Sequence, residues 1–223
     1  MRQKSGWLFR TFYSRNTLFL RQLFKSLVQP HIDYCSQLWA PLEGPNLDKI
    51  DKLLRDFTRR IPEMRDLNYW QRLEKLAMNS EQRRLERQQI IYVWKIIHGL
   101  VPNCGLEWSG CEERRGRLCE VRKLKGKSSV QNLRRQSFQV AGPRLWNCLP
   151  KNVRNFKGNQ DEFKEILDQF LTKVPDEPKV EGLIPGATDV LNGKQTNTLI
   201  YQVTSRKEIW TDDDLEANAT IVI

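Results

Sequence analysis

The sequence predicts a mainly α-helical protein: a small helical bundle, a long basic loop and a poorly structured C-terminal tail. Apolar residues recur at three- and four-residue spacing in segments between residues 16 and 97, each bounded by a proline or a capping residue. No stretch alternates apolar and polar residues strongly enough to compete as a strand. The charge also changes sign along the chain. Residues 1–150 carry 28 Lys and Arg against 14 Asp and Glu, whereas residues 151–223 carry 9 against 13.

The first predicted helix follows Asn16 and covers 16–29, where Leu20, Leu23, Phe24 and Leu27 share a face and Pro30 opposes continuation. A short second piece runs through Tyr34, Cys35, Leu38 and Trp39 and halts at Pro41, with 42–45 as a turn. Asn46 is the expected cap of the next helix. Its apolar face is Leu47, Ile50, Leu53, Leu54, Phe57 and Ile61, and Pro62 ends it. Asn68 with Gln71 forms a capping box ahead of Tyr69 or Trp70, Leu73 and Leu76. Ser80 opens a longer helix with Leu85, Ile90, Ile91, Trp94 and Ile97 as its stripe and Gly99 as its C-terminal cap.

Between Gly99 and Gln136 the apolar period fades and cations dominate, which reads as an exposed loop. Order returns over 137–150, where Phe138, Val140, Leu145, Trp146 and Leu149 need burial in a short helix. A last amphipathic helix, 161–173, presents Phe163, Ile166, Leu167 and Phe170. The expected organisation is a bundle over 1–100, a basic linker over 101–136, a helical segment packing on the bundle over 137–175, and an acidic, flexible tail over 176–223.

A chain of 223 residues with 39% hydrophobic and 29% charged composition can bury a core while keeping a net charge of +10, the sign that favours polyanions. No apolar run is long enough to cross a bilayer, and the N-terminus lacks the pattern of a secretory signal. Nucleus and cytoplasm are the expected compartments. The acid-free, basic stretch 1–30, with apolar residues at helical spacing, also resembles a mitochondrial presequence, so mitochondrial import is the lesser alternative to an internal segment of the fold. Five cysteines, Cys35, Cys104, Cys111, Cys119 and Cys148, lack the spacing of a disulfide framework and are expected to be reduced. The set His98, Cys104, Cys111 and Cys119 lacks the close cysteine pairs of a zinc module. No arrangement of serine or cysteine with histidine and carboxylate suggests a nucleophile.

Lys and Arg bind nucleic acid by neutralising phosphates and releasing counterions, with little sequence preference. Arg114, Arg115 and Arg117 lead into Arg122, Lys123, Lys125, Lys127, Arg134 and Arg135, of which the six between 121 and 135 face no acid in sequence. These are expected to contact phosphate, as are Arg83, Arg84 and Arg87. For Lys49, Lys52, Arg55, Arg59 and Arg60 a solvated helix face is an equal explanation, because Asp48, Asp51 and Asp56 share the helix. Trp7, Trp39, Trp70, Trp94 and Trp146 sit in apolar stripes or packing phrases and are expected in the core.

Several phrases resemble the region that follows the catalytic palm in jockey-like non-LTR (LINE) retrotransposon reverse transcriptases. They run from Gly6-Trp7-Leu8-Phe9-Arg10-Thr11-Phe12, through Lys25-Ser26-Leu27-Val28 and the stretch from Pro30-His31-Ile32-Asp33-Tyr34-Cys35 to Trp39-Ala40-Pro41, to Leu67-Asn68-Tyr69-Trp70-Gln71-Arg72-Leu73. Then come the stretch from Ile91-Tyr92-Val93-Trp94 to His98-Gly99-Leu100-Val101-Pro102, and Gly142-Pro143-Arg144-Leu145-Trp146-Asn147-Cys148-Leu149-Pro150. Their order and spacing are similar to the family's over about residues 4 to 180.

The resemblance implies a thumb-like bundle that grips primer and template, or element RNA, beside the catalytic part of the enzyme. It also implies that the metal-binding carboxylates of the palm, which hold Mg2+ in the parent RNA-directed DNA polymerase, lie outside this chain. The chain alone is then not expected to be active, and no cofactor is expected in it. Asp212-Asp213-Asp214 follows the matched region and reads as a solvated charge run. A domesticated remnant serving as a protein-interaction module is the alternative. A helix-turn-helix over 42–76 lacks a turn signature and a dimerisation element.

Overall fold

The computed structural model describes residues 2–39, 45–107, 116–119, 134, 137–177 and 199–205. Among these the regular elements are helices, so the protein is mainly α-helical as the periodicity predicts. The basic segments 108–115 and 120–133, together with 178–198 and 206–223, lie outside the described residues. So do most of the expected loop and tail.

The first helix, α1 (Arg2–Thr11), was not set apart by the sequence period, yet it buries Leu8 completely. Asn16 caps α2 (Thr17–Leu23) by accepting from the Phe19 N–H at 3.0 Å. The helix does not stop before Pro30. A π-turn, Phe24–Val28, carries it into α3 (Gln29–Asp33), with the Gln29 N–H bonded to the Phe24 carbonyl. Widening the turn places Pro30 in the first turn of the resumed helix, where its missing N–H and fixed φ are tolerated.

The piece at Tyr34 to Trp39 starts later than expected, because Cys35 adopts φ 51° and helix α4 is Ser36–Trp39. Helix α5 (Pro45–Arg59) begins at a proline, one residue ahead of the expected Asn46 cap. It ends before Ile61, which the following proline holds extended at φ −74°, ψ 121°.

The caps of the next two helices fall where the sequence places them. Asn68 and Gln71 form both bonds of the capping box on α6 (Tyr69–Lys75). Ser80 accepts from the Arg83 N–H to start α7 (Glu81–Ile97). Gly99, at φ 70°, closes α7 with the paired bonds Gly99 N–H to Ile96 and Leu100 N–H to Lys95. At the end of α6 the same pair of bonds occurs with Ala77 at φ 45°, a conformation better suited to glycine.

Past the described gap, α8 (Phe138–Asn147) carries Gly142 and Pro143 in its interior. A Cβ on Gly142 would lie 3.1 Å from Val93, so the glycine lets α8 approach α7 closely. The helix period did not anticipate α9 (Lys151–Arg154), a single turn after Pro150. Asn159 and Glu162 form a capping box on α10 (Gln160–Lys173).

Packing divides the molecule within α7 rather than at residue 100. Leu85 joins a core with Leu8, Leu20, Phe24, Ile32, Leu54, Phe57 and Leu73, from α1 to α6. Ile90, Val93 and Trp94 join a second core with Leu145, Trp146, Val153, Phe163, Leu167 and Phe170. A 17-residue helix is about 25 Å long, enough to serve both. Each large apolar side chain enclosed in this way contributes about 1.5–3 kcal/mol.

Part of the expected tail belongs to this second core. Leu199, at the start of α11 (Leu199–Ser205), is fully buried in it, and Asp176 accepts from both the N–H and the hydroxyl of Ser80 at 2.6 and 2.8 Å. Within the tail expected to be poorly structured, 176–177 and 199–205 thus pack against the rest of the molecule. The acidic composition there serves, at Asp176, to cap and pair residues of α7.

Candidate nucleic-acid interface

Of the α7 arginines, Arg83 is buried, Arg84 is mostly buried, and Arg87 is paired nearer the surface. Arg83 is 1% exposed, and its Nη2 donates to the Pro175 carbonyl at 3.1 Å while its Nε lies 3.7 Å from Asp176 and 3.9 Å from Glu86. Arg84 Nη2 donates to both carboxylate oxygens of Asp33 at 2.8 and 2.7 Å, and its Nη1 to Glu81 at 3.1 Å. Arg87 makes a forked pair with Asp168, Nη2 to Oδ2 at 2.7 Å. The expectation that these three contact phosphate is corrected: their guanidinium groups already hold carboxylates from α3, α10 and the segment after it.

This polar belt is dry enough to alter its acids. Burial pushes the Glu81 carboxyl up to about 7 against the pull of Arg84, and burial likewise pushes Glu86 up to about 7 against Arg83. Burial raises Asp176 as well, again opposed by Arg83. Glu86 also accepts the Leu199 N–H at 3.0 and 3.1 Å, which fastens α11 to α7. The belt joins the two cores.

Among the loop cations, Arg114, Arg115, Arg122, Lys123, Lys125, Lys127 and Arg135 lie outside the described residues. Arg117 is half-buried and Arg134 is exposed. The short piece 116–119 is pinned to α8: Trp146 Nε1 donates to the Gly116 carbonyl at 2.8 Å, and the Asn147 side chain bonds both the N–H and the carbonyl of Leu118. Gly116 sits at φ 64° with its Cβ direction closed by Asn155, so the Arg-Arg-Gly-Arg phrase contains a structural glycine.

The structure gathers cations elsewhere. On α5, Arg55 is turned inward, paired with Asp51 at 2.9 Å and stacked 4.1 Å from the Tyr69 ring centroid. The same Asp51 accepts from Tyr69 Oη at 2.7 Å, and burial with this neighbour raises the tyrosine well above its ordinary range. Arg59 and Arg60, at the end of α5, are exposed, and the turn through Pro62 brings Arg65 beside them. With Asp56 these three line an open groove of about 460 Å³. None of Arg59, Arg60 and Arg65 takes part in an ion pair among the described residues. Sequence reading gave Arg59 and Arg60 no preference and overlooked Arg65. The fold back through Pro62 was the signal that could have joined them.

Three of the five tryptophans expected in the core are there: Trp70, Trp94 and Trp146. Trp7 is 46% and Trp39 39% exposed, which corrects the expectation for both. Leu8 and Phe9 occupy the inward side of α1, and the short α4 leaves Trp39 with its Nε1 bonded to the Tyr34 carbonyl at 2.6 Å. Among the described residues no group of three or more His, Cys, Asp or Glu side chains converges in a way that could hold a metal ion. Likewise no helix among them is long and apolar enough to cross a membrane.

No protein-family model, curated protein or solved structure matches this chain.

Proposed function

We propose that this chain is the post-palm region of a jockey-like LINE reverse transcriptase and that its helical module holds RNA or DNA through backbone phosphates. The collinear phrases from Gly6 to Pro150 support the ancestry. The observation that carries the binding is the groove of Arg59, Arg60 and Arg65, exposed at the C-terminal end of α5 with Asp56 as the one acid in its lining. The loop cations from Arg114 to Arg135 extend the same reading along the sequence. Contact is to phosphate and sugar, without base specificity, and the catalytic part of the polymerase, with its Mg2+, is the natural protein partner. Nucleus and cytoplasm are the compartments in which such a module meets nucleic acid.

The test is a salt titration of oligonucleotide affinity for the wild type and for R59A/R60A/R65A. Each phosphate contact contributes about 0.7 to 0.9 to the slope of log K against log[salt]. The triple variant should therefore flatten the slope by about 2. An unchanged slope in a folded variant rejects the groove, and no binding at low salt by folded wild type rejects the reading.

One observation favours a protein-interaction module instead. Tyr34 and Leu38 are 77% and 87% exposed near Trp39, an apolar group on α4 and the turn before it that a protein surface could cover. Self-association or dye binding reduced by L38E supports that second reading.

A further inference from the structure

On the edge formed by α1 and α2, Trp7 and Phe19 stand out of the core, Phe9 and Phe12 lie partly buried against it, and arginines are close by. Trp7 meets Phe12 edge-to-face at 5.9 Å between centroids, and Phe12 meets Phe19 in the same manner at 5.7 Å. Trp7 and Phe19 are 46% and 39% exposed, so each keeps a ring surface in solvent at either end of this row. Beside it, Phe9 is flanked by two cations: the Arg15 and Arg60 guanidinium carbons lie 5.7 and 5.8 Å from its centroid. Arg15 is held there by carbonyls, not acids, with Nη2 donating to Phe9 at 2.8 Å and Nη1 to Phe12. Arg60 also lines the arginine groove and so connects Phe9 of α1 with that groove.

We propose that this edge is a stacking platform for single-stranded nucleic acid, with unpaired bases on Trp7 and Phe19 and the connecting phosphates on Arg15 and Arg60. This rests on the phosphate-binding reading and adds the kind of strand. A duplex hides the faces of its bases, so exposed rings gain nothing from it beyond what the arginines supply, whereas every unpaired base has a face to offer. A polyanion also suits the charges better than an apolar partner does. Covering the rings with an apolar surface leaves Arg15 and Arg60 desolvated without an ion-pair partner, because the nearby acids are few: Asp56 in the groove, Asp66 next to Arg65, and Glu63, which accepts from Thr17 at 2.6 Å. Edge-to-face contacts with Phe12 orient both Trp7 and Phe19.

The experiment measures affinity of the full chain for three probes of equal length: a 12-nucleotide thymidine oligomer, the same oligomer with abasic sites throughout, and a duplex. W7A and F19A are compared with the wild type and with W7F, which keeps a ring. The platform predicts a loss of between about fivefold and a hundredfold on the thymidine oligomer for each ring removed, with little change on the abasic strand or the duplex. W7F should stay close to wild type, which separates loss of stacking from loss of fold. Equal losses on all three probes, or none, overturn the platform while leaving phosphate binding in place. Failure of the wild type to bind any probe removes the underlying reading instead. Wild-type oligomers without nucleic acid that W7A and F19A dissolve also overturn the platform and assign the edge to a protein partner.

Discussion

Replacing Glu86 with glutamine tests how the two halves of the molecule are joined. Glu86 is 1% exposed; its carboxylate accepts the Leu199 N–H at 3.0 and 3.1 Å and the Gln82 amide at 2.8 Å. Burial raises it from 4.5 to about 7, with Arg83 pulling in the opposite direction. The folded protein therefore holds the Glu86 proton more tightly than the unfolded chain does. Its contribution to stability is fully present below about pH 4.5 and is lost as the pH climbs to about 7. The interval between 4.5 and about 7 corresponds to about 3 kcal/mol, as an order of magnitude. Glutamine keeps the shape and one acceptor for Leu199 but cannot ionise. The stability of E86Q relative to wild type should thus improve by about 3 kcal/mol between pH 4.5 and 8. Urea denaturation followed at several pH values reads this as a relative midpoint shift of about 1.5 M, for a slope of ~2 kcal/mol per M. Glu81 and Asp176 titrate in both proteins, so the difference isolates Glu86 to first order. Stability curves that run parallel across the whole interval would show that Glu86 is solvated, and that α11 does not close over α7.

Two further substitutions probe the same frame. R84M strands Asp33 and Glu81 without their forked partner and should destabilise by about 3 kcal/mol, while oligonucleotide affinity of the folded fraction stays at the wild-type value. A parallel loss of affinity would return Arg84 to the binding surface. A77G relieves the left-handed residue that ends α6, at φ 45°, and should stabilise by about 1 kcal/mol in thermal melts. A lower melting temperature would mean that the Ala77 turn is not left-handed in solution.

Much of the local structure was legible because its causes are local. The bonds Asn16 to Phe19, Asn68 to Gln71 and Ser80 to Arg83 each join residues three apart, so a single glance along the chain contains both partners. Gly99 could be placed because only a glycine takes φ 70° without strain. The apolar stripes of α5 and α10 likewise identified the sides that are buried. Pro30 misled because a proline does break an ordinary helix, and only the widened turn before it reveals the exception.

The fate of the charged residues was not legible in the same way. Arg84 and Asp33 are 51 residues apart, Arg87 and Asp168 are 81, and Arg83 reaches Pro175 across 92. Nothing in the neighbourhood of the α7 arginines announces these partners, so their cluster reads as an exposed basic face. Trp7 and Trp39 show the reverse error: apolar company in sequence did not bring either ring into a core.

By itself, the sequence determined that this protein is helical, where most helices start, and that its first 150 residues are strongly basic. Helix propensity, capping and net charge are sums over neighbours, and neighbours are visible. Tertiary structure decided which cations remain available: it paired Arg83, Arg84 and Arg87 with distant acids, Arg83 deep in the interior and Arg87 nearer the surface, and left Arg59, Arg60 and Arg65 around an open groove. That choice depends on how distant acids are brought together, because a buried guanidinium is stable only beside a counter-charge and an exposed one needs none.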